Sequence, residues 1–166
     1  MTHGVTASEL ANAYTIFGGN DQSGQGYGMF NSLHCYYRVL DANGNVLLEP
    51  EISTVQAITP QSGYIVNRLL SNVLRSSGSV SGTARGMALE TTDSVAKTGT
   101  TTNDKDRWFV GLTPNYVSAV WWGYDTNEEI QWSPKASTNP PPIVWKTVME
   151  AMQAEMPESE FPPAPE

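Results

Sequence analysis

The sequence predicts an α/β chain of the α+β kind, with an antiparallel sheet of at least three strands flanked by helices. Two observations carry the prediction. Between Ser94 and Tyr124 three strand-like runs rich in valine, threonine and aromatic residues follow in quick succession, with Pro114-Asn115 as a tight turn between the last two. Helix starts stand on either side of them, at Thr6 and Thr59-Pro60 before and at Pro140-Pro141-Pro142 after.

Thr6-Ala7-Ser8-Glu9 has the form of a capping box, in which the Thr6 hydroxyl accepts from the amide three residues on and the Glu9 carboxylate reaches back. Leu10, Ala13, Tyr14 and Phe17 follow at helical spacing, which predicts a helix ending at Gly18-Gly19. Gly18 to Gly28 is polar, glycine-rich and without period, and reads as a mobile loop. Leu33 to Leu40 and Asn45 to Leu48 are strand-like, and Asp41-Ala42-Asn43-Gly44 between them predicts a small hairpin.

Thr59-Pro60 supplies an N-cap and a proline at the first helical position, and Val66, Leu69, Leu70, Val73 and Leu74 carry a helix toward Ser76-Ser77-Gly78. From Gly78 to Thr92 the pattern weakens, and irregular backbone with a short strand is expected. The three late strands span about Ser94 to Thr100, Trp108 to Thr113 and Tyr116 to Tyr124, the last two forming an antiparallel hairpin. Trp145, Val148, Met149 and Met152 make the last apolar stripe, on a helix that packs against the sheet. After Met156 the chain is rich in Pro and Glu, which predicts one domain over 1–155 and a disordered tail over 156–166.

A chain of 166 residues with 39% hydrophobic and 16% charged residues can bury one core of ordinary size. Its net charge of −8 is concentrated at the end: five of the 17 acidic groups are Glu150, Glu155, Glu158, Glu160 and Glu166. The remainder holds twelve acidic groups against nine basic ones, with no basic footprint for nucleic acid. One cysteine, Cys35, allows no intrachain disulfide and no cysteine-based metal cluster, and no cofactor is implied. His34 beside it invites a Cys–His pairing, but neighbours on a strand point to opposite faces, so a half-buried thiol next to an exposed imidazole is expected; His3 reads as solvated. No apolar run is long enough to span a bilayer and no signal peptide is visible, which fits either a cytoplasmic chain or part of a longer protein anchored elsewhere.

Lys97-Thr98-Gly99-Thr100 is the segment with chemistry in it. On an accessible strand beside an acyl-transfer pocket, a lysine supplies fixed positive charge and a small hydroxyl binds a carboxylate. Glycine lets a substrate backbone approach, and the next amide can hold a developing oxyanion. Ser94-Val95-Ala96-Lys97 matches Ser-x-x-Lys formally, but on a strand the serine and lysine point to opposite faces. Ser137-Thr138-Asn139 matches Ser-x-Asn formally, yet it follows the lysine strand and runs into three prolines, so it reads as a loop leading into a helix. Trp108, Trp121, Trp122 and Tyr124 are expected to pack in the core or on the sheet instead of stacking a ligand. Asp104, Asp106 and Asp125 are scattered loop carboxylates, and no metal is assigned to them.

In chain order, Gly4-Val5-Thr6, Glu9-Leu10-Ala11-Asn12-Ala13-Tyr14, Thr83-Ala84, Lys97-Thr98-Gly99-Thr100-Thr101, Asp106-Arg107-Trp108-Phe109-Val110-Gly111, Thr113-Pro114 and Val120-Trp121-Trp122-Gly123-Tyr124 resemble the later part of class A penicillin-binding proteins. The resemblance runs from about Gly4 to Met149 and is most specific from Lys97 to Tyr124. It implies the C-terminal half of a transpeptidase domain of the serine β-lactamase and penicillin-binding fold, on the extracytoplasmic face of a bacterial membrane. It also implies peptidoglycan stem peptides and β-lactams as partners of the complete domain. In that family the signatures run Ser-x-x-Lys, Ser-x-Asn, Lys-Thr-Gly.

The resemblance makes Lys97 a support for the proton network around the Ser-x-Asn serine, makes Thr98 and Thr100 carboxylate binders, and makes the Thr100 amide half of an oxyanion hole. Ala96 departs from the glycine that many members carry before the lysine. With both decoys set aside, the nucleophile is expected to lie outside this chain, in a missing N-terminal half. The chain alone would then be inactive. The alternatives are a non-catalytic cell-wall binding or scaffolding module, and an unrelated α+β interaction domain with a chance Lys-Thr-Gly.

Overall fold

The first helix, α1 (Ala7–Tyr14), starts at the capping box that the sequence predicts. The Glu9 amide donates to Thr6 Oγ1 at 3.2 Å and the Thr6 amide donates to Glu9 Oε2 at 2.8 Å. This satisfies two of the donors that a helix N-terminus leaves open, and accepting from the Thr6 amide and hydroxyl holds the Glu9 carboxyl below the usual range. A 3-10 turn over Thr15–Phe17 continues the helix to Gly18, and Gly19 takes a φ of +73°. The structure, a computed structural model, describes residues 4–19, 26–77, 79–131 and 139–166. Of the expected mobile loop, residues 20–25 lie outside the described residues, as do His3, Ser137 and Thr138.

The elements that follow are β1 (Met29–Asn31), β2 (Val39–Leu40), β3 (Val46–Leu48), β4 (Thr54–Gln56), α2 (Pro60–Ser71), β5 (Ser76–Ser77), β6 (Val80–Ser81), β7 (Val95–Thr100), β8 (Asp106–Leu112), β9 (Val117–Gly123) and α3 (Pro140–Gln153). β2 and β3 form the predicted hairpin, closed by Asp41, whose Oδ1 accepts from the amides of Asn43 and Asn45 at 2.8 Å. The hairpin is shorter than expected, because β3 offers no partner to residues 33–38. Those residues are irregular, with Cys35 exposed and His34 half-buried, the reverse of the expected exposures. His34 Nδ1 lies 3.1 Å from the Ser32 carbonyl.

α2 begins as predicted, with Thr59 Oγ1 accepting from the Ser62 amide at 3.2 Å and Pro60 in the first turn. It stops at Ser71, short of the expected Ser76. Turns over 72–74 carry the chain into β5, and Leu74 is buried there in place of a further helical turn.

β7, β8 and β9 form the expected antiparallel sheet in that order, pairing Lys97 with Val110 and Phe109 with Val120. Thr113 sets the β8–β9 turn, since its hydroxyl accepts from the amides of Asn115 at 3.3 Å and Tyr116 at 3.0 Å. Alternation along the strands gives the sheet a core on each face. Ala96 and Phe109 pack with Trp145 and Met149 of α3 on one face; Val95, Val110 and Leu112 pack with Leu70 and the apolar stripes of α1 and α2 on the other.

The buried stripe of α3 is Pro141, Pro142, Trp145, Met149 and Gln153, while Val148 and Met152 face outward. The rotation away from the expected stripe follows from Trp145, whose indole lies against Gly111, where a Cβ would collide with it. Gln153 closes the far end by donating to Thr113 Oγ1 at 3.2 Å.

The segment after Met156 has no helix or strand, and it is fastened to the rest of the fold at several points. Ser159 O accepts from the Asp93 amide at 3.0 Å and from Thr92 Oγ1 at 2.9 Å. Phe161 packs on the core under α1 and α2, and Pro162 O accepts from the Tyr27 hydroxyl at 2.9 Å. The anchoring residues named here, Ser159, Phe161 and Pro162, are set among prolines and glutamates.

Candidate functional site

β7 lies at one edge of the three-stranded sheet, and Lys97, Thr98, Gly99 and Thr100 all fall on it. Its first two residues, Val95 and Ala96, are buried and fix the strand in the core. From Lys97 the strand emerges: Lys97 and Thr100 are exposed, Thr98 and Gly99 half-buried. The sequence-predicted residues are therefore together, on an edge strand that among the described residues pairs on one side only, with β8.

Alternation divides their side chains. Thr98 and Thr100 share the face of Ala96, while Lys97 and Gly99 share the face of Val95. The Lys97 ammonium folds back along the strand and donates to the Thr98 carbonyl at 2.6 Å. A Cβ on Gly99 would meet Trp108 Cβ at 3.2 Å, so glycine here also serves the sheet itself, letting the cross-strand tryptophan lie close. The Thr98 hydroxyl is 2.9 Å from the hydroxyl of Thr83, a contact that sequence reasoning missed. The two lie fifteen positions apart, mostly across irregular chain, and no spacing rule links them.

The end of β7 is held by a tight loop. The Thr101 amide donates to the Asp106 carbonyl at 3.1 Å, and the Asp106 amide donates to Thr101 Oγ1 at 2.8 Å. Asn103 and Asp104 adopt left-handed backbone, with φ of 61° and 50°, a conformation Asn and Asp tolerate better than most residues. The Asp104 carboxylate is fixed by Arg107, whose Nε donates to Oδ1 at 2.7 Å; this pairing holds its carboxyl below the usual range. Asp106 accepts from Trp121 Nε1 at 2.9 Å. Asp104 and Asp106 are thus committed to neighbouring side chains that stiffen the loop.

Ser94, the formal Ser-x-x-Lys serine, is buried just before β7, and its hydroxyl accepts from the Leu89 amide at 3.1 Å. It has no open face for acyl transfer. Asn139 is the N-cap of α3, and its side-chain oxygen accepts from Arg107 at 3.5 Å. Trp108 and Trp121 pack across the strands with ring centres 6.4 Å apart. Trp121, Trp122 and Tyr124 remain 37%, 45% and 46% exposed, so these aromatics cover the open end of the sheet and are not core residues.

No known family model matches the chain. Among curated proteins it is 37% identical over 134 residues to penicillin-binding protein 1A of Clostridium perfringens, a match covering 79% of this chain and 18% of that protein. It is 33% identical over 147 residues to penicillin-binding protein 1A of Clostridium acetobutylicum, covering 89% of this chain and 16% of the relative. Penicillin-binding protein 4 of Bacillus subtilis is 29% identical over 151 residues, covering 91% of this chain and 22% of the relative. The chain thus spans less than a quarter of the length of these relatives.

Among solved structures, penicillin-binding protein 1A from Haemophilus influenzae superposes with a TM-score of 0.79 at 18% identity, over 97% of this chain and 28% of the other. The D,D-transpeptidase domain of a peptidoglycan glycosyltransferase from Eggerthella lenta superposes with a TM-score of 0.53 at 26% identity, over 70% of this chain and 26% of the other. The edge-strand site, the two-faced sheet and these matches agree: the chain belongs to the class A penicillin-binding proteins and corresponds to the C-terminal part of their transpeptidase domain.

Proposed function

We propose that this chain forms the substrate-receiving wall of a peptidoglycan D,D-transpeptidase, with the nucleophile supplied by an upstream half of the domain. The observation that carries the reading is the placement of Lys97, Thr98, Gly99 and Thr100 on an edge strand with no further strand paired to its outer side among the described residues. On this reading a stem peptide lies along β7, and its terminal carboxylate is met by the hydroxyls of Thr98 and Thr100. Lys97 adds positive charge beside the proton path of the upstream serine. The Thr100 amide donates to the oxyanion of the tetrahedral intermediate, a kind of contact that contributes on the order of 10²–10³ in rate. β-Lactams carry the same carboxylate and would use the same wall. The complete protein would act on the extracytoplasmic face of the membrane; among the described residues of this chain no helix is long and apolar enough to cross one.

Acylation needs a serine activated by a nearby base and aimed at an oxyanion hole. Ser94 is buried and occupied, which supports placing that serine elsewhere. The test is intact-protein mass after incubation with excess penicillin, for this chain alone, for its Ser94→Ala and Ser137→Ala variants, and for the chain together with the upstream half. No adduct on the chain alone and a stoichiometric adduct on the upstream half in the mixture are expected. An adduct on this chain that either substitution abolishes would overturn the split-site reading. No adduct in either setting would favour a non-catalytic cell-wall module.

A further inference from the structure

We propose that Thr83 is a positioning residue for Thr98: its hydroxyl fixes the direction of the Thr98 hydroxyl, so that the latter presents its proton to the substrate carboxylate. This deepens the carboxylate reading given above and rests on it. The two oxygens are 2.9 Å apart, so one hydroxyl donates to the other. A carboxylate is an acceptor only. When one binds Thr98, the Thr98 proton is committed to it, and the oxygen of Thr98 is left to accept. Thr83 is placed to donate there, giving a chain from Thr83 to Thr98 to carboxylate in which each bond polarises the next.

Thr83 suits this role because its backbone is anchored independently of β7. The turn over 82–86 is fastened to carbonyls beyond the C-terminus of α2. The Gly82 amide donates to Arg75 O at 2.9 Å, the Ala84 amide to Val73 O at 2.9 Å, and the Gly86 amide to Leu74 O at 3.2 Å. Gly82 is pressed so closely on the carbonyls of Asn72 and Val73 that a Cβ would collide with both. Ala84 is buried in the core beneath α3, and Lys146 of α3 donates to Gly86 O at 3.2 Å. The Thr83 side chain itself is exposed and takes no part in that core. The Thr83 backbone is a fixed reference point beside β7, from which its hydroxyl meets that of Thr98.

The experiment uses the complete transpeptidase domain containing this chain. Second-order acylation rates are measured with a penicillin and with its methyl ester, which lacks the anionic carboxylate. The ratio of acid to ester rate isolates carboxylate recognition from chemistry and from general folding damage. Thr98→Val is expected to lower that ratio. Thr83→Val is expected to lower it roughly three- to tenfold, the loss of one hydrogen bond, with the ester rate unchanged, while Thr83→Ser keeps the hydroxyl and the wild-type ratio. If Thr98→Val leaves the ratio unchanged, the carboxylate reading fails, and this inference with it. If Thr98→Val lowers the ratio and Thr83→Val does not, only the role of Thr83 is overturned. Equal falls in acid and ester rates for Thr83→Val would mark it as structural and also overturn the proposal.

Discussion

Gly111 stands opposite the Trp145 indole at the centre of the α3 face, and the absence of a side chain at Gly111 is what lets the largest buried side chain among the described residues lie on the sheet. A methyl group there must displace the ring or bend β8, because both are held in a packed core. Gly111→Ala is therefore expected to lower unfolding free energy by about 1–3 kcal/mol, the usual range for overpacking. Gly4→Ala, where nothing lies within 4 Å of the added carbon, is expected to change it by less than about 0.5 kcal/mol. Urea midpoints of the two variants check this, and equal shifts would show that the missing Cβ is not what seats Trp145. At this scale the placement of Lys97 to Thr100 together on one strand was legible, since their run of strand-forming residues is local. Gly111, Thr83 and the left-handed pair Asn103-Asp104 were not, because what matters at each is a neighbour distant in sequence or a backbone angle.

The terminal segment shows what a weak sequence signal can hide at the scale of an element. Residues 157–166 cross three parts of the fold, through Ser159 to Asp93, Phe161 to the α1–α2 core and Pro162 to Tyr27. Tyr27 is buried and donates its proton to Pro162 O, and burial pushes its phenol up to about 12. A phenol whose pKa is raised by folding adds stability that is fully present below the unfolded value of about 10 and is lost as pH rises through the folded one. Alkaline titration followed by tyrosine absorbance should therefore show one of the seven tyrosines ionising near pH 12, with stability falling between pH 10 and 12. Deleting 157–166 should move that tyrosine down toward the ordinary range by admitting water to its hydroxyl. A late-ionising tyrosine unmoved by the deletion would show that the tail is not what shields it. The helix starts, in contrast, could be read directly, because capping boxes and N1 prolines act within four residues. The stops of α2 and the stripe of α3 could not, being set by burial of Leu74 and Trp145 against distant strands.

Across the whole molecule, the three-stranded sheet organises two cores, one under α3 and one under α1 and α2, so that each strand of the sheet is tied to both faces at once. The sheet was legible because its alternation and its Thr113–Tyr116 turn are local; the assignment of helices to faces was not, since it depends on which stripe meets which strand. The β2–β3 hairpin stands outside this arrangement. Every residue of both its strands is exposed, and what holds it is the Asp41 turn, its few ladder bonds and the exposed Arg38–Glu49 ion pair at its open end. Local opening of such an element exposes little new apolar surface, whereas separating β7 from β8 uncovers Phe109, Val110 and Ala96 and dissolves both cores. Native-state hydrogen exchange at low denaturant should accordingly divide the chain. Amides of Phe109 and Val110 should exchange only through global unfolding, with a rate that rises steeply with urea in proportion to the surface exposed. Amides of Leu40 and Val46 should exchange faster by orders of magnitude and with almost no urea dependence. A common urea slope for hairpin and sheet would mean that the hairpin unfolds only with the cores, and that contacts beyond its own turn hold it in place.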